Sequence, residues 1–261
     1  MRLALLWKEW REQRWRCVLG TLVLAVIAAS LVRAQLIPLP ESLVIVFGPL
    51  GLLLAIFLAM GSVATEREDG TWDFLRARPV PIVTLLRAKW LIGALHLVVA
   101  FVVAGAAVYW AARSRRLFAL ALSPEWLDPG PRVLGSLGES ATSLWLLVSL
   151  SLVAMLAWYT VLFFILTRAR NELHAGLRGV LLTLAAVAWM LQYPASRAEW
   201  FTDPPLAKAL WTSALLNPLS PLVYILEKPV WQALSVGIAL IVWTAGPLWL
   251  VGRLERAGRL S

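Results

Sequence analysis

The chain has 261 residues, of which 60% are hydrophobic and only 15% are charged, and its mean hydropathy is +0.76. Soluble domains carry about 25% charged residues, so this composition excludes an ordinary water-soluble protein and indicates an integral membrane protein. The net charge of +9 could suggest a nucleic-acid partner. Because the basic residues lie at the edges of apolar runs, we expect membrane lipid as the partner and no nucleic acid.

Residues 1–15 predict an amphipathic helix that lies in the membrane interface. Charged residues occupy one side, and the apolar residues recur at helical spacing on the other side, at Leu3, Leu6, Trp7 and Trp10. The alternative is the basic region of a signal peptide, which the length of the segment and its tryptophan content disfavour. The residues that we expect to characterise this interfacial helix are Trp7, Trp10, Arg11 and Arg14.

Six apolar runs approach the length of about 20 residues that a helix needs to cross a bilayer. They cover approximately residues 17–36, 43–64, 90–112, 142–166, 177–193 and 230–251. The sequence therefore predicts an all-α integral membrane protein, with six transmembrane helices after the interfacial helix in a single domain over residues 1–261.

The distribution of Lys and Arg predicts the orientation. If the N-terminus is cytoplasmic, the inner segments carry 16 Lys and Arg residues and the outer segments carry 8. The positive-inside rule then favours cytoplasmic N- and C-termini. Arg113, Arg115 and Arg116 depart from the rule, because this orientation puts them outside.

The main charged insert, residues 65–89, separates the second and third predicted spans. Four consecutive charged residues, Glu66 to Asp69, end the second span, and Gly70 can adopt the left-handed conformation that closes a helix. Thr71 can cap a short helix, and a new helix restarts at Ile82 after two prolines. Exposed aromatic residues ringed by charge favour docking to a partner; the alternative is an ordinary positively charged loop.

Ten consecutive residues of this insert resemble a known family: Glu66, Arg67, Glu68, Asp69, Gly70, Thr71, Trp72, Asp73, Phe74 and Leu75. Followed by Arg78-Pro79-Val80 and by Lys89, they resemble the segment between the second and third helices of ABC transporter permeases of the type-2 exporter class. The resemblance implies that residues 65–78 couple the chain to separate cytoplasmic ATPase subunits and that the interfacial helix lies near them. It also implies a second permease chain, identical or different.

The segment 194–229 contains Asn217-Pro218-Leu219-Ser220-Pro221, which interrupts any helix there. Such a segment can dip into the outer leaflet only where protein protects its broken backbone. The alternative interpretation is a plain loop.

Motifs for chemistry in this chain itself are missing from the sequence. There is no G-x-x-x-x-G-K-[ST] loop, no H-E-x-x-H pair and no carboxylate near the middle of a predicted span. We therefore expect no catalytic residue, metal site or cofactor in this chain, with ATP and Mg²⁺ bound by the partner ATPase.

The sequence thus favours the transmembrane subunit of an ABC exporter in the plasma membrane, which is not itself an enzyme. An ATP-independent membrane scaffold or assembly protein is the main alternative. An intramembrane enzyme is the other, and its candidate residues, Arg113, Arg115 and Arg116, lack a clustered carboxylate partner.

Overall fold

A computed structural model of the chain describes residues 2–34, 46–68, 70, 82–114, 137–167, 169, 171–190, 213–223 and 229–249. The regular elements in these ranges are all helical. They are α1 (Arg2–Ala34), α2 (Gly51–Glu68), α3 (Ile82–Ser114), α4 (Leu137–Leu166), α5 (Glu172–Met190), α6 (Ser220–Val223) and α7 (Pro229–Ile238), with π-helical turns at Val46–Leu50 and Ala239–Ala245. The predicted all-α class is confirmed.

Four helices in the described ranges are long and apolar enough to cross a membrane: Leu6–Arg33, Val83–Arg113, Leu144–Leu166 and Glu172–Met190. Four of the six predicted spans fall on them. The other two fall on shorter apolar helices, Val46–Gly61 and Ala233–Trp249. Pro49 lies inside the π-helical turn before α2, where its missing N–H breaks the regular α-helical hydrogen bonding.

Helix α1 is continuous over 33 residues. This differs from the prediction of an interfacial helix over 1–15 that is separate from a span over 17–36. No glycine or proline occurs between Arg2 and Leu19, so nothing in the local sequence interrupts the backbone hydrogen bonds. One stripe of α1 is buried along its length, and it begins with polar residues and continues with apolar ones: Glu9, Gln13, Cys17, Leu24, Ala28 and Val32.

The ends of α2 and α3 follow the local sequence as predicted. Helix α2 ends at Glu68, and Gly70 has φ +68°, in the left-handed region. Helix α3 begins at Ile82, directly after Pro81.

Helices α3 and α4 form the centre of the bundle. The most apolar windows of these helices are 56% and 61% buried, against 22% for those of α1 and α5. Helix α1 packs on α3, α2 packs on α4 and α5, and the π-helical turn after α7 packs on α4. Large buried side chains fill the space between these helices, among them Leu97, Phe101, Met155, Tyr159 and Phe163.

A close approach of α3 and α4 depends on Gly93. The hydroxyl of the fully buried Tyr159 lies against this glycine, in the space that a Cβ atom would occupy. On the same stretch of α3, the indole of Trp90 donates a hydrogen bond to Thr160 Oγ1 at 3.0 Å. These contacts set the distance between the two central helices.

We expect Gly93→Ala to destabilise the protein, because the new methyl group would push Tyr159 out of its site. Overpacking of this kind costs about 1–3 kcal/mol of unfolding free energy. Unfolding by SDS in mixed micelles would measure it. Gly237→Ala is the matched control, since nothing lies within 4 Å of the added Cβ there. Equal stability of the two variants would contradict the packing described.

Candidate functional site

The main polar cluster in the described ranges surrounds Lys89. Its Nζ donates a hydrogen bond to Glu9 Oε2 at 2.7 Å and lies 2.9 Å from Glu66 Oε1. The side chains of Lys89, Glu9 and Glu66 are 2%, 0% and 13% exposed. These three residues belong to α3, α1 and α2, so one ammonium group joins three helices. We call the end of the bundle that carries them the charged end.

Because these charges are buried, any arrangement of the helices that separates them is costly in free energy. Removing a charge from water costs several kcal/mol, and close opposite charges repay that cost only in good geometry. The two short distances to Lys89 provide such geometry. Any change in the relative positions of α1, α2 and α3 would therefore leave a buried charge without its partner.

Three carboxylates lie close together at the edge of this cluster. Oxygen atoms of Glu9, Glu12 and Glu66 lie within 4.8 Å of one another, a spacing that could hold a metal ion. Ammonium groups supply positive charge in the same place. Lys8 Nζ lies 3.3 Å from Glu12 and 4.0 Å from both Glu9 and Glu66. Sequence patterns do not reveal this acidic group, because Glu66 lies more than 50 residues after Glu9 and Glu12.

A second ion pair ties α1 to α5. Arg16 Nη2 donates a hydrogen bond to Glu172 Oε1 at 2.6 Å. Between α1 and α5, the guanidinium group of Arg16 lies against α2. Its Cζ is 5.8 Å from the ring centroid of Phe57, and its Nη1 contacts Gly61. A side chain at residue 61 would block this path. Glu172 opens α5, where a carboxylate is favourable for the helix dipole.

Asn171 caps the start of α5. Asn171 Oδ1 accepts a hydrogen bond from the backbone N–H of His174 at 2.9 Å and lies 2.6 Å from His174 Nδ1. In the structure Glu172 contacts Arg16 of the same chain, while Leu173 and Leu177 beside it are exposed.

The predicted coupling residues are only partly described. Glu66 belongs to the buried charge cluster, and Arg67 and Glu68 form the last turn of α2. Gly70 is an exposed turn residue. Asp69 and the segment from Thr71 to Leu75 lie outside the described residues.

The predicted interfacial residues divide between two faces of α1. Trp7, Arg11 and Arg14 are exposed, and Trp7 is 68% exposed. Trp10 turns inward, where its ring lies 4.9 Å from that of His96 on α3. His96 is buried, and neither of its ring nitrogens has a hydrogen-bond partner among the described residues.

Sequence reasoning missed Glu9, Arg16 and Glu172 as structural partners. The pattern of residues 1–15 predicts Glu9 on the charged side of the interfacial helix, whereas in the structure Glu9 begins the buried stripe of α1. Lys89 was noted as part of the family-like pattern. The available signal was the spacing of four between Glu9, Gln13 and Cys17, which continues the stripe of the span toward the N-terminus.

The interrupted segment 213–223 packs at the opposite end of the bundle. The fully buried Asn217 donates from Nδ2 to the carbonyl of Ala186 on α5 at 2.9 Å and accepts from the N–H of Leu219 at 2.8 Å. The indole of Trp243 donates to the carbonyl of Leu216 at 2.9 Å. Side chains thus pair with two backbone groups of the broken segment, the N–H of Leu219 and the carbonyl of Leu216, and Asn217 ties the segment to α5.

Comparison with known proteins shows a likeness over a short part of the chain. The chain is 46% identical over 46 residues to the uncharacterized transmembrane protein YxlG of Bacillus subtilis (strain 168), a match that covers 18% of this chain and 18% of that protein. No family model matches the chain. Together with the long apolar helices, the likeness identifies this chain as a membrane protein.

We expect Lys89→Met to destabilise the protein strongly, because Glu9 and Glu66 would be left without their shared cation. Loss of one partner from a buried pair costs about 3–5 kcal/mol. Lys8→Met is the matched control: this lysine is 44% exposed and should contribute less than about 1 kcal/mol. Unfolding by SDS in mixed micelles would compare the two.

A combined variant distinguishes the effect of removing the charge of Lys89 from the effect of changing the packing of its side chain. In a Glu9→Gln/Glu66→Gln background, Lys89 itself is the unpaired charge, so Lys89→Met should no longer destabilise the protein. Equal losses for Lys89→Met and Lys8→Met would contradict the buried-cluster interpretation.

Proposed function

We propose that this chain is the transmembrane subunit of an ABC exporter of the type-2 class. The observation that carries the proposal is the position of Glu66. This residue opens the family-like segment, and it shares Lys89 with Glu9 of α1. A segment that docks on an ATPase would thereby be connected to the first three helices of the bundle.

The mechanism follows from this connection. ATP binding closes the partner ATPase dimer and moves the segment from Thr71 to Leu75. Because the charge cluster resists separation, α2 carries α1 and α3 with it, and the pair between Arg16 and Glu172 passes the movement to α5. The helices tilt, and a path opens between two permease chains. Hydrolysis takes place in the ATPase, which binds ATP and Mg²⁺.

The arrangement in the membrane is part of the proposal. Two shorter apolar helices, Val46–Gly61 and Ala233–Trp249, complete six spans with the four longer ones. Both termini lie in the cytoplasm, and the membrane is the plasma membrane. A second permease chain, identical or different, packs against apolar side chains that α5 exposes, among them Leu177, Leu181 and Leu184.

We expect Trp72→Ala/Phe74→Ala to prevent recovery of a P-loop ATPase with the tagged chain, because the double variant removes the aromatic area that would dock. Purification in mild detergent, with every stoichiometric partner identified by mass spectrometry, measures this. Trp110→Ala is the control, since it removes an aromatic side chain that is 68% exposed at the far end of α3.

Each result of that purification has a clear meaning. Loss of the ATPase from the double variant alone supports the docking segment. Recovery of the ATPase with all variants contradicts the role of Trp72 and Phe74. If even the unaltered chain brings no ATPase, an ATP-independent scaffold or assembly protein becomes the better explanation.

The orientation can be tested with a membrane-impermeant maleimide. In a Cys17→Ser background, we expect Arg113→Cys to be labelled in intact cells and Glu12→Cys only after permeabilisation, because the charged end faces the cytoplasm. Both parent residues are exposed in the structure. The opposite pattern would contradict the assigned orientation.

A further inference from the structure

One face of α1, which we call the outer face, is turned away from the rest of the bundle. At about 100° per residue, its members fall within an arc of about 120° on the helix. They are Trp7, Arg11, Arg14, Trp15, Val18, Leu22 and Val26. All seven side chains are exposed, and Trp7 and Trp15 are 68% and 70% exposed. The buried stripe that begins at Glu9 and Gln13 lies on the opposite side of the helix.

The outer face changes from charged to apolar between Trp15 and Val18. The turns before this point carry two guanidinium groups, which need polar surroundings, and the following turns carry apolar side chains. Val18 and Leu22 are 53% and 57% exposed, an arrangement that hydrocarbon favours and water does not. Tryptophan is the residue that suits the headgroup level between these two environments. The edge of the hydrocarbon therefore crosses α1 near Trp15.

The length of α1 agrees with this position. Its 33 residues correspond to about 50 Å, whereas the hydrocarbon of a bilayer is about 30 Å thick. From Trp15 to Ala34, the last residue of the helix, the rise is about 29 Å. The helix thus crosses the hydrocarbon from Trp15 onward. Arg11 and Arg14 then lie within about 6 Å of the hydrocarbon edge, in the headgroup layer.

The two arginines of the outer face keep their hydrogen-bond donors for a partner outside the chain. Neither Arg11 nor Arg14 forms an ion pair within the part of the chain that the structure describes. The exposed carboxylate beside them, Glu12, pairs with Lys8 at 3.3 Å. The guanidinium of Arg14 lies 5.7 Å from the ring centroid of Trp15, which holds it at the hydrocarbon edge. Guanidinium donors fit phosphate oxygens, so the charge and the depth of this face both match a phospholipid headgroup.

We propose that the outer face of α1 binds the headgroups of anionic phospholipids in the leaflet at the charged end. Arg11 and Arg14 donate hydrogen bonds to phosphate oxygens, and the ring of Trp15 lies at the edge of the hydrocarbon. Val18 and Leu22 contact the acyl chains. The contact does not depend on the proposed coupling to an ATPase. A soluble partner would leave the apolar half of the same face uncovered, because that half lies at the depth of the hydrocarbon.

Native mass spectrometry of the purified full-length chain tests the headgroup contact. The probes are phosphatidylglycerol and phosphatidylcholine with identical acyl chains, and the dissociation constant of the first bound lipid is measured. Arg11→Gln and Arg14→Gln should each weaken phosphatidylglycerol binding about fivefold and leave phosphatidylcholine binding unchanged. Arg113→Gln is the matched control, because it removes the same charge from an exposed arginine at the far end of α3.

The outcomes of this titration are distinct. Unchanged phosphatidylglycerol binding by Arg11→Gln and Arg14→Gln overturns the proposal and leaves the outer face to a protein partner. An equal loss in Arg113→Gln also overturns it, because the loss would then follow from net charge alone. Equal loss of both lipids would show that the arginines do not select an anionic headgroup. Circular dichroism checks that the helices remain in each variant.

Spin labels test the depth of the outer face. In a Cys17→Ser background, labels at Trp7→Cys and Leu22→Cys are compared in vesicles of equal parts phosphatidylglycerol and phosphatidylcholine. Oxygen concentrates in hydrocarbon and a nickel chelate stays in water, so the Leu22 position should collide mainly with oxygen and the Trp7 position mainly with the chelate. Access of the chelate to the Leu22 position would place the hydrocarbon edge elsewhere. Exclusion of both reagents from that position would show that protein covers this face, and either result overturns the proposal.

Discussion

The buried ammonium group of Lys89 is the constraint on which the charged end of this protein depends. It lies 2.7 Å and 2.9 Å from the carboxylates of Glu9 and Glu66, out of contact with water. An ammonium group in such a place is tolerated only with its counter-charges in position. The course of α1 follows from this requirement, because a separate N-terminal helix lying flat in the interface would carry Glu9 away from α3.

The same cluster connects a movement at the end of α2 to the other helices of the bundle. Buried ion pairs contribute little net stability compared with apolar packing, but they penalise arrangements that separate them. The cluster links α1, α2 and α3, and the pair between Arg16 and Glu172 adds α5. Force applied to the end of α2 therefore reaches four helices through side chains that cannot slide past one another without unpairing a charge.

Away from the charged end, the bundle has a closely packed centre and helices with little burial at its sides. Helices α3 and α4 pack closely where Gly93 admits Tyr159, whereas α1 and α5 bury little of their most apolar stretches. The broken segment around Asn217 is held by side-chain hydrogen bonds to backbone groups. This division suits a protein whose outer helices contact lipid or a partner chain while its centre keeps its shape.

The sequence by itself determined the membrane class, the helical fold and several helix ends, because these depend on local composition and on residues such as Gly70 and Pro81. It also marked Glu66 and Lys89 as members of one pattern. Only the tertiary structure decided that α1 is one helix whose polar N-terminal stripe is buried, and that Glu9 and Arg16 find partners 80 and 156 residues away. Hydropathy reports the residue and its neighbours along the chain. It carries no information on which distant charge will lie opposite, and that pairing decides whether a glutamate faces water or the core.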